Sequence, residues 1–328
     1  MSNRTRYFVL SAGAILAVGL TTGLVASFMG GLPVAFSRAA GPDELQYVPA
    51  DAAVVAYANV NELLHSNLRE RFRQLEPNTP ERDEFEQKTG VNIDEDIQTV
   101  VAAMMPGSTT DTTRNHGVLI LARGRFEQSR LEALAIEHGG KVEDYQGKRL
   151  LTHTTDSGES DMALGFIDVD LVAMGNYQSV KRSIDAGAGN NIMSNNDLMR
   201  QINDLDASNV WAVGRFDALA NTGQLPPLLQ SQLPAVQWFS AAGHVNGGVS
   251  GIFKAEARDE ESAKNLRDIL NGFLAMARMQ ANTRPEFKSV VDSLQLTGDG
   301  KNIALSFAVP SELLDALEAM AKQHGQMQ

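Results

Sequence analysis

Cysteine is absent from the 328 residues of the chain, and this absence excludes several kinds of site. Without a thiol, the protein has no disulfide framework, no thiolate nucleophile, no cysteine-based zinc site and no lipid-modified cysteine anchor. The compartment stays open, because large domains outside the cell can be stable without disulfides. The remaining composition, 43% apolar with a mean hydropathy of -0.19, is that of a globular protein with one large domain or two smaller ones.

Positive charge is also scarce, with 28 Lys and Arg against 40 Asp and Glu and a net charge of -12. Residues 1–40 contain three of the basic residues and none of the acidic ones, so the rest of the chain carries -15. Because a body this acidic repels phosphate backbones, we expect no nucleic-acid partner. It also avoids an anionic lipid surface except where something tethers it.

Charge of either sign is missing from a long stretch near the start, Tyr7 to Ser37. Its core, Phe8 to Gly30, would extend about 35 Å as a helix, which is enough to cross the hydrocarbon layer. Arg4 and Arg6 precede the core, and more positive charge before a span than after it predicts a cytoplasmic N-terminus. We therefore predict a single-pass membrane protein with a periplasmic or extracellular body. Residues 1–7 are the cytoplasmic stub, 8–30 the transmembrane anchor and 31–49 a linker.

A cleaved signal peptide is the alternative interpretation of the same segment. Small residues at Ala35 and Ser37, or at Ser37 and Ala39, would suit a signal peptidase. The apolar core is longer than the roughly 7–15 residues typical of a signal peptide, which favours the anchor. Both interpretations place the body on the far side of the membrane.

The predicted anchor also contains a spacing that lets two helices approach closely. Gly19, Gly23 and Ser27 lie four residues apart on one helical face. A span rich in Gly and Ala shows this spacing by chance as well, so a homodimer remains one of two alternatives.

After the linker, apolar strands alternate with amphipathic helices. Strands that lead towards helices are predicted at 54–58, 118–122, 171–174, 210–213, 251–253 and 303–307. Asp259 is a predicted N-cap, and the helix after it places six residues on one face: Ala263, Leu266, Ile269, Leu270, Phe273 and Ala277. Hairpin turns are predicted at Asn246-Gly247, Gln146-Gly147 and Asp299-Gly300, since such pairs accept positive φ.

Tight turns join antiparallel strands, so the predicted fold class is α+β, with mainly antiparallel sheets and helices packed on one face. The order of elements looks duplicated, because Asp51-Ala52 precedes the first strand and Asp206-Ala207 precedes the fourth. We predict two ββα-rich halves, residues 50–190 and 191–328. The alternative is that ββα units resemble one another for physical reasons alone.

Residue types that carry chemistry are present, but they do not form catalytic patterns. None of the six histidines pairs at i, i+4 around a Glu, and neither a Gly-x-Ser-x-Gly elbow nor a P-loop occurs. Two carboxylate groups, Asp94-Glu95-Asp96 and Asp168 with Asp170, lack the loop spacing that calcium requires. We therefore predict no catalytic, cofactor-binding or metal-binding residue, and no cofactor.

One apolar stretch is rich in proline and lies between a predicted strand and a predicted hairpin. It runs through Leu225-Pro226-Pro227-Leu228-Leu229 to Leu233-Pro234 and Trp238-Phe239. If exposed, Leu225, Leu228, Leu229 and Trp238 would form a surface for an envelope protein partner or an apolar ligand. The alternative is a short helix that covers the core of the second half.

Several turn and cap motifs together resemble a known kind of protein. They are Pro49-Ala50-Asp51-Ala52, Thr89-Gly90-Val91-Asn92-Ile93-Asp94 with Asp96-Ile97, Gly124-Arg125-Phe126, Asn246-Gly247-Gly248-Val249 and Glu261-Ser262-Ala263-Lys264. The body resembles an uncharacterised bacterial family, of the domain-of-unknown-function type, of signal-anchored extracytoplasmic proteins. The resemblance implies a location in the bacterial envelope and supplies no catalytic residues.

These patterns favour a membrane-anchored envelope protein that acts as a non-enzymatic binding or structural module. The alternative is an extracytoplasmic hydrolase whose Asp, His and Ser come together only in the fold, because catalytic triads are assembled in space. A structure separates the two by showing whether such side chains converge in a cleft.

Overall fold

The computed structural model describes residues 30–31, 42–64, 66, 80–106, 117–154, 160–205, 208–216, 235–246, 248–281 and 288–311. These residues contain the strands β1 Gly30–Gly31, β2 Val54–Asn59, β3 Ile97–Met104, β4 Val118–Gly124, β5 Lys141–Tyr145, β6 Lys148–Thr154, β7 Ser160–Asp168, β8 Leu171–Gly175, β9 Val210–Arg215, β10 Val236–Asn246, β11 Gly248–Ala257, β12 Gln295–Thr297 and β13 Asn302–Val309. Their α-helices are α1 Val60–Leu64, α2 Pro80–Thr89, α3 Ile93–Asp96, α4 Gln128–Glu137, α5 Tyr177–Ala186, α6 Asn196–Asn203, α7 Glu260–Ala281 and α8 Lys288–Ser293. The fold is α+β with extensive antiparallel pairing.

The described residues divide into two compact units. The first contains 42–61 and 80–204, and the second contains 30–31, 62–66 and 205–311 apart from the gaps given above. The first unit thus continues through α6 to Asp204, whereas the two predicted halves meet at 190 and 191. Each unit contains three consecutive antiparallel strands followed by a helix, β2 to β4 with α4 and β9 to β11 with α7. The duplication itself remains a prediction.

The sheet of the first unit runs in the order β2, β3, β4, β8, β7, β6, β5, and every neighbouring pair is antiparallel. The predicted turn between β5 and β6 is confirmed, with φ of 52° at Gln146 and 74° at Gly147. The turn at 169–170 joins β7 to β8. Both turns are short, which is why the strands on either side pair directly.

The helices of the first unit lie on opposite faces of its sheet, so the expectation of helices on one face is wrong here. Leu131 of α4 packs with Ala122 and Val172, which point to one side. Val180 of α5 lies on the other side of the sheet. A Cβ added at Gly165 on that side would come within 2.9 Å of Val180 Cγ1. The physical reason lies in the central strands β4 and β8, which are buried on both faces and therefore need a layer on each.

In the second unit, β13, β11, β10 and β9 pair antiparallel in that order, with β12 also antiparallel to β13. The strongest predicted hairpin is confirmed, since Asn246 at the end of β10 pairs with Gly248 at the start of β11. Gly30 and Gly31 pair in parallel with Ala308 of β13.

The long helix α7 begins and packs largely as predicted. The Asp259 Oδ1 accepts the backbone N–H of Ser262 at 2.7 Å, which confirms the N-cap. Ala263 is fully buried against Ala257 and Ile303 at the start of the helix. Phe273 is the exception, because the helix turns Leu274 inward instead and leaves Phe273 43% exposed. A single residue changes the direction of a helical side chain by about 100°, so the pattern alone did not resolve these neighbours.

Candidate functional site

The residues predicted to form interaction surfaces lie mostly outside the described part of the chain. Leu225, Leu228 and Leu229 fall outside it, and so do Gly19, Gly23 and Ser27 of the predicted anchor. Trp238 is described: it is partly buried in β10, opposite Arg215 of β9 and Glu256 of β11. Its position in a paired strand makes it part of the sheet of the second unit.

The two carboxylate groups singled out in the sequence have structural partners. Asp94, Glu95 and Asp96 form α3, where the Asn92 side chain accepts the backbone N–H of Asp94 at 3.0 Å. The Asp96 carboxylate accepts a hydrogen bond from the backbone N–H of Asn92 at 2.8 Å. In the described ranges, no three His, Asp or Glu side chains are grouped so that they could hold a metal ion. No helix in those ranges is long and apolar enough to cross a membrane.

An ion-pair network around the buried Glu44 ties the start of the body to the sheet. Glu44 is only 3% exposed and accepts hydrogen bonds from Thr99 Oγ1 at 2.8 Å and Arg123 Nε at 2.7 Å. Arg123 Nη1 donates to Asp170 Oδ2 at 2.7 Å. Burial alone lowers the pKa of Arg123, but its hydrogen bonds to Glu44 and Asp170 outweigh this effect and raise the pKa above its ordinary value. Because Glu44 is satisfied by two donors, this network fixes the segment around 43–47 and has a structural role.

Helix α5 is the element that presents polar side chains beside that segment. The Asn176 side chain caps it by accepting the backbone N–H of Ser179 at 2.7 Å. Val180, Ser183 and Ile184 are buried. The opposite stripe, at the i, i+4, i+8 spacing, therefore faces away from the core.

That stripe consists of Tyr177, Lys181 and Asp185, and the β5–β6 turn packs against it. Tyr145 donates its hydroxyl to Asp185 Oδ1 at 2.9 Å, and Gln146 Nε2 donates to the same oxygen at 2.6 Å. The Lys181 ammonium lies 4.2 Å from the centre of the Tyr145 ring and 5.2 Å from that of Tyr177. Both distances are in the range of a cation–π contact, so the lysine is held above two aromatic rings.

The two phenols of this cluster remain protonated at neutral pH. The hydrogen bond to Asp185 raises the pKa of Tyr145, and the hydrogen bond to Glu143 raises the pKa of Tyr177. Glu143 keeps one oxygen, Oε1, buried and without a hydrogen-bond partner in the described structure. Protonated phenols donate hydrogen bonds and offer ring faces, but they do not act as nucleophiles or bases.

A cleft of about 380 Å³ opens beside this cluster. It is lined by Pro49, Ala50, Asp51, Arg182, Asp185, Ala186 and Asn190, and we call it the α5 cleft. Its floor is positioned by three hydrogen bonds: Ser183 Oγ to the Tyr47 carbonyl at 2.8 Å, the Ile192 N–H to the Val48 carbonyl at 2.8 Å, and Asn195 Nδ2 to the Ala50 carbonyl at 2.9 Å. Arg182 pairs with Asp51 across the cleft. The walls are therefore fixed by contacts within the first unit.

The charged side chains that line the α5 cleft are Asp51, Asp185 and Arg182. The adjoining cluster adds one positive charge, Lys181, and one negative charge, Glu143, so the sum over these five groups is one negative charge. Asn190 is exposed and adds one group that both donates and accepts hydrogen bonds. Among the described residues that line the cleft there is neither histidine nor serine. The cleft thus offers hydrogen-bond donors and acceptors on side chains that are held by partners within the first unit.

Sequence analysis missed this site because its residues come from separate segments. Asp51 was noted only in the duplication and resemblance motifs, and Tyr177 was not among the predicted site residues. The available signal was Tyr177, Lys181 and Asp185 at four-residue spacing, which forms a stripe of side chains with polar groups next to the buried face of the helix. The partners from the β5–β6 turn and from residues 49–51 could be found only in three dimensions.

Comparisons with known proteins add little to this description. No protein-family model matches the chain, and no curated protein matches it. Among solved structures, crystal form I of TP0453 is similar, with 12% sequence identity and a TM-score of 0.48. The match covers 86% of this chain and 99% of that one. A likeness this distant carries no functional argument, so function has to be argued from the residues themselves.

Proposed function

We propose that the protein is an extracytoplasmic binding module, tethered to a membrane by residues 8–30 and without enzymatic activity. The tether is supported by the charge-free core from Phe8 to Gly30 and by the basic residues before it. The acidic body supports export, because it has little affinity for nucleic acid or for anionic lipid. The resemblance to signal-anchored envelope proteins agrees with this location.

The observation that carries the binding role is the α5 cleft with its adjoining tyrosine cluster. Preformed walls reduce the entropy lost on binding, and the hydrogen bonds behind residues 47–50 hold these walls in place. The phenols of Tyr145 and Tyr177 are protonated, and Asp51 and Asp185 are each paired. These groups are arranged to recognise a ligand and not to transform one.

The ligand we propose is a neutral saccharide unit of the envelope. A sugar presents hydroxyl groups that both donate and accept, which matches the mixture of Arg182, Asn190 and Asp185 at the cleft. Asp51 is paired with Arg182, and Asp185 accepts hydrogen bonds from Tyr145 and Gln146, so a charged ligand would have to displace these partners. An anion is disfavoured further by the charge of -12 over the whole chain.

The membrane topology is tested with single cysteines, since the natural chain has none. Val169→Cys lies at the exposed β7–β8 turn, and Ser2→Cys lies in the predicted cytoplasmic stub. In spheroplasts of a bacterial host, a membrane-impermeant maleimide should label the first variant at once and the second only after detergent is added. The opposite pattern would refute the orientation, and loss of Ser2→Cys from the mature chain would show cleavage.

Binding is tested by saturation-transfer NMR on the full-length chain in lipid nanodiscs. The probes are N-acetylglucosamine, glucuronate and glucosamine, which are similar in size but neutral, anionic and cationic. We expect the strongest transfer to the neutral sugar, and its loss in Asn190→Ala. Asn203→Ala, an exposed asparagine of α6, is the matched control. Equal transfer to all three sugars, or the same signal in both variants, would remove the α5 cleft as the binding site.

A further inference from the structure

Helix α7 is divided along its length into a charged half and an apolar half. Its first nine residues, 260–268, include five charged side chains. The following thirteen, 269–281, include one, Arg278, and extend about 20 Å. A helix whose polarity changes along its axis presents one end to water and the other to an apolar environment.

Part of the apolar half is uncovered. Leu274 and Ala281 are buried against the second unit. Phe273, Met276 and Met279 point elsewhere and are 43%, 58% and 72% exposed. These three lie three residues apart and form one stripe, which we call the Met stripe. Large apolar side chains grouped in this way mark a contact surface.

The end of the predicted membrane span is connected to α7 through β13 and α8. Gly30, the last residue of the predicted span, pairs with Ala308 of β13. The N–H of Ala308 donates to Ser293 Oγ of α8 at 3.0 Å, and Val290 of α8 is buried with Val309. Helix α8 in turn packs on α7. A series of direct contacts therefore connects the end of the span to the helix that carries the Met stripe.

We propose that the Met stripe is a lipid contact surface, which rests on the same membrane that the N-terminal segment crosses. This inference depends on the tether in the proposed function and adds a second contact to it. The tether ends at the membrane surface, so Gly30 and the elements that pack around Ala308 are held there. An apolar helix end held at a lipid surface gains free energy by burying its side chains among acyl chains.

The charges around the stripe agree with lipid as the occupant. Arg278 is the single charge of the apolar half, and the helical period turns it to the face opposite Met276, so no charged side chain of that half lies within the stripe. The acidic residues of the helix, Glu260, Glu261 and Asp268, all lie in its other half, farther from the stripe. An anionic lipid surface therefore repels the stripe less than it repels the acidic body as a whole.

The test uses Met276→Cys in the full-length chain, labelled with an environment-sensitive fluorophore and reconstituted in liposomes. The added thiol is the only one in the protein. Met193→Cys is the matched control, because Met193 is the same residue type, 53% exposed, and belongs to the first unit. Liposomes contain lipids with a nitroxide on the headgroup or on the acyl chain. We expect the label at 276 to shift to shorter wavelength and to be quenched by both lipids, and the label at 193 to show neither effect.

Three results would overturn the inference. If the protein floats with the liposomes but both labels stay unquenched, the tether stands and the lipid contact is wrong. If the 276 label shifts without quenching, another protein surface or a second copy covers the stripe. If the protein does not float after an alkaline wash, the membrane tether is wrong, and the lipid contact that depends on it is wrong as well. Far-UV circular dichroism of both labelled variants confirms that the fold is intact.

Discussion

The packing of α5 on the sheet gives a quantitative test of the fold. Gly165 of β7 lies beneath Val180, and a Cβ added there would approach Val180 Cγ1 to 2.9 Å and Leu150 Cδ1 to 3.8 Å. The second distance is an ordinary contact, and the first is a clash. Gly165→Ala should therefore destabilise the first unit by about 1–3 kcal/mol, the usual cost of overpacking.

Val180→Ala should relieve that clash at a cost of its own. Val180 is fully buried, and the substitution removes two methyl groups at roughly 0.8 kcal/mol each, with an added cavity term. In the double variant the new Cβ of residue 165 occupies part of that cavity. We therefore expect the double variant to lose about 1–2 kcal/mol less than the sum of the two single variants.

The free energies are measured by hydrogen exchange and mass spectrometry of the full-length protein, from the slowest amides of β4 and β8. Leu131→Ala is the matched control, because Leu131 of α4 packs on the other face of the sheet. Gly165→Ala and Leu131→Ala should be additive within about 0.5 kcal/mol. The placement of α4 and α5 on opposite faces would be refuted by either of two results. One is that the free-energy losses of the Gly165 and Val180 variants are additive, and the other is that those of the Gly165 and Leu131 variants are not.

The remaining predictions concern the elements that support the α5 cleft. Asn176→Ala removes the N-cap of α5 and should lower the free energy of unfolding, measured in the same exchange experiment, by about 1 kcal/mol. Asn176→Ser should lower it by less, because the serine hydroxyl can still accept the hydrogen bond from the Ser179 N–H. Arg123→Met leaves the buried Glu44 carboxylate without its charged partner and should lower the free energy of unfolding by about 3–5 kcal/mol. The loss should appear first as weaker protection from hydrogen exchange near residues 43–47. Glu44→Gln should lower the free energy of unfolding by less, since its amide oxygen still accepts a hydrogen bond from Arg123. Hydrogen bonds raise the pKa of Tyr145 and of Tyr177 in the folded state. The stabilisation that these hydrogen bonds give the fold is therefore complete below the unfolded-state pKa of about 10, and it is lost as the pH rises through the higher folded-state pKa. Ultraviolet titration of tyrosinate should therefore show late-ionising phenols in the folded chain and one fewer in Tyr145→Phe, and coincident ionisation of all tyrosines would contradict this.

Local features of the fold were predictable because their causes are local. Gln146-Gly147 predicted a hairpin from the positive φ that a tight turn requires, and both residues have positive φ. Asn246-Gly247 predicted a second hairpin, whose strands pair as far as Asn246 and Gly248. Asp259 predicted the start of α7 from the need of the first helical N–H groups for an acceptor. In each case a few neighbouring residues determine the backbone.

The face on which each helix packs was not predictable from these signals. Tight turns make the strands antiparallel, but they do not say on which side a later helix crosses the sheet. The unbroken apolar run at 118–122 was a hint, because a strand buried on both faces lacks polar alternation. The choice between Phe273 and Leu274 as the buried residue also depended on the tertiary contact, since both fit the helical period.

The sequence by itself determined that the chain begins with a charge-free stretch long enough to span a membrane, that its body is acidic, and that it alternates antiparallel hairpins with capped helices. These properties depend on composition and on residues within a few positions of one another. Only the tertiary structure brought Asp51, Tyr145 and the α5 stripe together, because they lie on three separate segments of the chain. It alone left the Met stripe uncovered, because the exposure of a side chain depends on what packs around it and not on its identity.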